Sequence, residues 1–114
     1  MREEIKDPAR LEHILEAIEN VKAFMTDKNL KDLENDKMLY FAVVKNIEII
    51  GEASYKLSNT FKAKYSMIPW RQIEKMRHVL VHGYYSISPL LLYNVYIQDI
   101  PVLKEYIESI KDKL

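Results

Sequence analysis

The chain has 114 residues, enough for one hydrophobic core and too few for two. Seventeen basic and 17 acidic residues leave no formal net charge, which excludes a general polyelectrolyte binder and restricts any contact with a polyanion to a local site. Cysteine is absent, so disulfides and thiolate chemistry are excluded, while 2 Gly and 4 Pro supply too little turn chemistry for an all-β fold.

In chain order, Met1–Asp7 has no apolar signal core, and no stretch approaches the roughly 20 apolar residues of a membrane span. A cytoplasmic address is expected. Asp7-Pro8 reads as an N-cap carboxylate followed by proline at the first helical position. Leu11, Ile14, Ile18, Val21 and Met25 recur at three- and four-residue steps, with Leu15 widening the stripe, so a first helix is predicted over 8–25. Thr26-Asp27-Lys28-Asn29 breaks it, and the polar stretch to Asn35 reads as a loop or a single turn. A longer helix is predicted from Asp36 to about Leu57, its stripe being Tyr40, Val43, Ile47, Ile50, Ser54 and Leu57, broadened by Phe41 and Val44. Gly51 interrupts it at a cost of up to about 1 kcal/mol relative to Ala, unless close packing requires it.

Ser58-Asn59-Thr60 should cap a short amphipathic piece, 61–65. Ile68-Pro69-Trp70 opens the next helix, which is predicted to end at His82 with Gly83 as the terminating residue. A loop over 84–88 follows, then a helix from Pro89 through Leu92 and Val95. Pro101 either kinks that helix or starts another that ends near Leu114. The tyrosines at 93, 96 and 106 read as helix packing or an interface rather than a base-stacking platform, and His13 as a surface residue. The expected fold is all-α, an antiparallel bundle of four to five helices forming one domain over 1–114.

Successive helical residues lie about 100° apart, which places Trp70, Ile73, Met76, Leu80 and Val81 on one apolar arc. Arg77 falls inside that arc, where a guanidinium needs a carboxylate, a phosphate or a water-filled cleft. Glu48 or Glu52 of the preceding long helix can supply the carboxylate, and Glu52 orienting Arg77 would also explain Gly51 beside it. Glu74, His78 and His82 stack along another edge at four-residue steps. Arg77 and His82 are five residues apart, about 140° around the helix, so they converge only where the helix ends or where a second chain contributes.

Arg77-His78-Val79-Leu80-Val81-His82-Gly83-Tyr84 matches the Arg-X4-His-X-Tyr pattern, and the chain resembles the HepT family of ribonuclease toxins within the HEPN superfamily. Ile49-Ile50-Gly51-Glu52-Ala53 is similar to that family's second-helix signature, and Ile68-Pro69-Trp70-Arg71 with Met76 to its approach to the motif. The resemblance covers nearly the whole chain. It implies a HEPN bundle, endonucleolytic cleavage of RNA without metal or cofactor, and a site shared across a homodimer. Arg77 and His82 would be catalytic, with Glu52 and His78 supporting. Tyr84 would be the residue to which a partner minimal nucleotidyltransferase, the antitoxin, attaches AMP; Tyr85 offers a second hydroxyl beside it. The residue after the arginine is commonly Asn in the family and is His78 here.

The chemistry of those residue types is consistent with this. Metal-free RNA cleavage needs a base for the 2′-hydroxyl, an acid for the departing 5′-oxygen and positive charge at the phosphorane. Histidine titrates near neutrality, and the planar fork of arginine fits phosphate oxygens. One histidine cannot make both proton transfers in a single concerted step, whereas a two-fold dimer brings a second Arg77 and His82. Each residue also has a plainer reading: His82 as a cation at a helix C-terminus, Arg77 as half of a structural ion pair, and Tyr84 as helix packing. His78 and His82 with Glu74 have the spacing of metal ligands, but no further ligand cluster accompanies them. A second class of function is a non-catalytic module that binds a nucleotidyltransferase or a nucleotide.

Overall fold

The computed structural model describes residues 6–75 and 88–111. Among these every regular element is helical and no strand occurs. The helices are α1 (Asp7–Met25), α2 (Leu30–Asn35), α3 (Lys37–Tyr55), α4 (Asn59–Lys64), α5 (described over 70–75), α6 (Pro89–Asn94) and α7 (Ile100–Lys111), with a π-helical turn, Val95–Asp99, between the last two. The expected all-α bundle is therefore what forms, with short α2 and α4 adding to the long helices.

Helices α1 and α3 make the central pair. Asp7 meets Ser58 just past the end of α3, and Asn20 meets Asn46, so the two helices run antiparallel. Lys104 reaches Glu19 and Lys111 reaches Glu12, which sets α7 antiparallel to α1 as well. The core between them holds Leu11, Ile14 and Ile18 of α1, Ile47 and Ile50 of α3, and Ile107 and Ile110 of α7. Burying each of these side chains stabilises the fold by about 1.5–3 kcal/mol. All belong to the three- and four-residue stripes of their helices, because a helix can present only one such face to its neighbours.

Two polar groups interrupt this core and are satisfied. Asn46 accepts from the Asn20 amide at 3.1 Å and donates to the Ala42 carbonyl at 2.8 Å. The Ser54 hydroxyl donates to the Ile50 carbonyl of its own helix at 2.7 Å. The Asn20–Asn46 pair fixes the sliding register of α1 on α3, since a shift would strand a half-buried amide. Gly51 is buried within an unbroken α3, consistent with a demand for close packing there.

The structure corrects three local expectations. Asp7 does not cap α1; Lys6 occupies the cap position without a side-chain bond, and the Asp7 carboxylate instead accepts from the Ser58 amide (2.9 Å) and hydroxyl (2.7 Å). A tertiary partner 51 residues away outcompetes the local amides because it offers two donors at once. The stretch after α1 is not a plain loop: Asn29 and Asp32 form a reciprocal capping box that starts α2, which buries Leu33. Phe41 does not broaden the core stripe of α3 but stands 54 % exposed, its ring edge-on to Tyr40.

Other boundaries follow the sequence signals. Thr26 leaves the helical region, and Asp27 takes a left-handed φ of 60° as Lys28 bonds back to Met25. Ser58 caps α4 through the Phe61 amide, and Ser88 caps α6 through the Leu91 amide. At Pro101 the second of the two expectations holds, since α7 starts at Ile100, but it follows α6 without a break. The π-turn Val95–Asp99 widens the helix just before it, so that Ile100 bonds to Val95 and the missing proline amide interrupts a ladder already in transition. The predicted helix end at His82, Gly83 and the loop from Tyr84 to Ile87 lie outside the described residues.

Candidate functional site

Of the residues singled out in the sequence, Arg77, His78, His82, Tyr84 and Tyr85 lie outside the described residues. Glu52 and the supports of α5 over 70–75 are described. Glu52 occupies the last turn of α3, half-buried, and its carboxylate pairs with Lys56 Nζ at 3.0 Å. Glu48, the other acid considered for Arg77, lies one turn earlier with Lys45 Nζ at 3.9 Å.

The start of α5 is anchored from several sides. Pro69 provides the entry, and the Trp70 indole N–H donates to the Tyr65 carbonyl at 3.1 Å. The Trp70 ring lies 6.3 Å from Phe61 of α4, and Phe61 in turn lies 4.9 Å from Tyr65. Trp70 and Ile73 are buried, as the apolar arc of this helix requires. Burial of aromatic bodies with the indole donor satisfied fixes the first turn of α5 in position and direction.

Lys62 of α4 was not visible as a site residue in the sequence. Its ammonium donates to Glu74 Oε1 of α5 at 2.7 Å and to the carbonyl of Tyr55, the last residue of α3, at 3.2 Å. Both ends of the Lys62–Glu74 pair are partly buried, at 17 % and 24 % exposed, so the attraction is less screened than at a surface pair. One cation thus ties together the end of α3, α4 and α5, and its partner Glu74 stands three residues before Arg77 in the sequence. No periodicity signals it, because its partner is 12 residues away on another helix. The pairing also gives Glu74 a role of its own, apart from the metal-ligand spacing it forms with His78 and His82. Among the described residues no group of three or more His, Asp or Glu converges to hold a metal ion.

Beside α5 runs a groove of about 550 Å³ between the 69–75 segment and the α6–α7 arm. Pro69, Ile73, Leu91, Val95 and Leu103 give it an apolar floor, and Gln72, Lys75, Gln98 and Asp99 give it polar edges. The π-turn sets Gln98 and Asp99 on this rim. Tyr93 and Tyr96, with ring centroids 6.2 Å apart, pack partly buried against the core, as expected of helix packing rather than a stacking platform. No described helix is long and apolar enough to cross a membrane.

Comparison with known proteins bears on the same stretch of chain. The family model described as ribonuclease HepT-like matches residues 14–110. A protein of Methanocaldococcus jannaschii named "Gamma-glutamylcyclotransferase and putative RNase" is 40 % identical over the whole chain, which spans 50 % of that protein's length. A second protein of that organism, named "Putative RNase", is 35 % identical over 90 % of this chain and 94 % of its own. "Probable ribonuclease HepT" of Thermococcus cleftensis is 40 % identical over 89 % of this chain and 92 % of its own. No solved structure matches. With the family model covering most of the chain and relatives of this identity aligned nearly end to end, the chain belongs to the ribonuclease HepT-like family.

Proposed function

We propose that the chain is an endoribonuclease toxin of a toxin–antitoxin pair, acting without metal as a homodimer and silenced by a minimal nucleotidyltransferase that adenylylates Tyr84. The observation that carries this reading is the Arg77-X4-His82-X-Tyr84 string within a chain of the HepT-like family whose relatives bear ribonuclease names. One domain spanning 1–114 would suffice for it.

In this reading His82 takes the proton of the RNA 2′-hydroxyl, and the 2′-oxygen forms a bond to phosphorus. The bond from phosphorus to the 5′-oxygen breaks, and the second His82 of the dimer protonates that leaving oxygen. The products are a 2′,3′-cyclic phosphate and a 5′-hydroxyl, with no co-reactant consumed. Arg77 from each protomer neutralises the charge that builds on the equatorial oxygens. Glu52 is the carboxylate that orients Arg77, a role supported by its place at the end of α3, which Lys62 clamps to α5. His78, which follows Arg77 in the sequence, is the other supporting residue in this reading. An adenylyl group on Tyr84 would bring a phosphate able to occupy Arg77 and bulk that excludes RNA.

The test is expression of the chain alone in cells. Wild type should arrest growth and degrade RNA, and Arg77→Ala and His82→Ala should each abolish both effects. Variants indistinguishable from an active wild type would refute the catalytic assignment. Cleavage by purified protein that EDTA abolishes would overturn the metal-free mechanism. Incubation with a minimal nucleotidyltransferase and ATP should add an adenylyl mass to the tryptic peptide containing Tyr84; modification confined to Tyr85 would move the acceptor by one residue.

A further inference from the structure

The groove beside α5 has no part in the chemistry assigned to the motif, yet it is built like a binding site. Its volume of about 550 Å³ falls within the range of small-ligand pockets. Gln72 and Lys75, three residues apart on one face of α5, line one wall, and Gln98 and Asp99 of the π-turn line the other. Ile73, Leu91 and Val95 floor it, and the partly buried Tyr106 ring completes the lining. All four polar side chains are exposed, and none of them has a hydrogen-bond or ion-pair partner among the described residues. The Asp99 carboxylate is thus left unneutralised although Lys75 lines the same groove. Successive side chains of a π-turn lie closer around the axis than the about 100° of an α-helix, so neighbouring Gln98 and Asp99 both reach the groove. Such turns occur frequently at functional sites.

This set of donors and acceptors restricts the ligand. An ionised carboxylate only accepts, so Asp99 requires donors, whereas a glutamine amide can give or take. Lys75 requires an anion, and the apolar floor with the phenol ring suits a flat, stackable body. A nucleotide combines these features. Among the RNA bases, guanine alone presents two adjacent donors on its Watson–Crick edge, N1–H and the N2 amine. Adenine and cytosine present there a ring-nitrogen lone pair that a carboxylate repels, and uracil presents one donor between two acceptors. Guanine also carries the acceptors O6 and N7 side by side, which suit the amides of Gln72 and Gln98. In single-stranded RNA these edges are free, and proteins read them by stacking and hydrogen bonds.

We propose that the groove between α5 and the α6–α7 arm holds a guanine base of single-stranded RNA. Asp99 accepts from its N1–H and N2 amine, the glutamine amides donate to O6 and N7, and Lys75 meets a flanking phosphate. The proposal rests on the ribonuclease reading and specifies the base preference of its substrate. It places that preference on residues outside the Arg-X4-His-X-Tyr motif.

The probes are two fluorescein-labelled 2′-O-methyl RNA hexamers, UUGUUU and UUUUUU, which lack the attacking hydroxyl and so report binding apart from cleavage. Affinities are measured by anisotropy at one fixed salt concentration. Wild type should bind the guanine hexamer about tenfold more tightly, the discrimination of one bidentate base contact. Inosine in place of the guanine removes only the N2 amine and should give an intermediate affinity. Asp99→Asn, an isosteric change at an exposed position, should abolish the preference. Glu105→Gln removes the same charge from an exposed position of α7 outside the groove and should retain it. Equal wild-type affinities, a preference that survives Asp99→Asn, or one lost in Glu105→Gln overturns the subsite. So does displacement by GTP at a lower concentration than the unlabelled hexamer requires, which would give the groove to a free nucleotide. A change in light-scattering mass on Leu91→Asp with both hexamer affinities intact would give it to a second copy and also overturns it. Wild type that shows the preference but leaves unmodified RNA intact upholds the subsite and overturns the nuclease reading. Wild type that cuts RNA while binding both hexamers alike does the reverse.

Discussion

The Asp7 carboxylate offers a clean test of the tertiary contacts, because the sequence alone assigns it a different job. As an ordinary helix cap, its removal would cost about 1 kcal/mol and depend on nothing outside α1. In the structure it accepts from the Ser58 amide at 2.9 Å and the Ser58 hydroxyl at 2.7 Å, clasping the start of α1 to the α3–α4 corner. Hydrogen bonds to a charged group contribute about 1.5–3 kcal/mol each when buried; these two lie at an exposed site, which reduces the pair to about 1.5 kcal/mol. Loss of a negative charge from the first turn of α1 adds about 0.5 kcal/mol. Asp7→Ala should therefore cost about 2 kcal/mol, or roughly 8 °C in Tm for a domain of this size. Urea titration followed by circular dichroism measures it. The decisive quantity is the coupling to Ser58→Ala: a double-mutant cycle should give about 0.5–1 kcal/mol, since only the hydroxyl bond is shared by both substitutions. A loss for Asp7→Ala below about 0.5 kcal/mol, or no coupling to Ser58, would refute the clasp.

Other outcomes follow from particular contacts. Lys62→Ala should cost about 1–2 kcal/mol by leaving the partly buried Glu74 unpaired, and Lys62→Ala with Glu74→Ala should recover part of that loss in the same urea assay. Asp27→Gly should stabilise by about 0.5 kcal/mol, because φ of 60° is strained for Asp and free for Gly; a loss in thermal unfolding would contradict the left-handed turn. The Lys104 ammonium, hydrogen-bonded to Glu19, lowers that carboxyl below its ordinary 4.5. Its contribution is therefore whole above pH 4.5 and lost as pH falls through the lowered value, so Glu19→Gln should make the acid limb of stability against pH shallower; an unchanged limb would count against the bridge. Light scattering at micromolar concentration should show a dimer, and a strict monomer would undermine a composite site.

The helical class, the three long helices and most of the core are legible in the residue pattern, since Leu11, Ile14, Ile18, Ile47 and Ile50 repeat at the spacing that makes one face of a helix apolar. The cap at Ser58 is legible for a related reason: it acts on an amide three residues away, well within the reach of local sequence. The Arg77–Tyr84 string is legible as a pattern of residue types, and it points to the family that comparison with known proteins bears out.

What escapes the sequence in every case involves a partner far along the chain or a choice between competing local structures. Asp7 looks like a cap because Ser58, 51 residues on, cannot be weighed from Asp7-Pro8 alone. Phe41 looks like core because periodicity gives a face but not the width of the neighbour that covers it. The answer to Pro101 lies in a wider helical turn, one that no residue type announces. The Lys62–Glu74 pair is of the same kind: both residues stand in the sequence, but only the packing of α4 on α5 brings them together. Local chemistry thus determines which helices form and which segment carries the motif; long-range contacts decide how those helices are clasped and where their charge is presented.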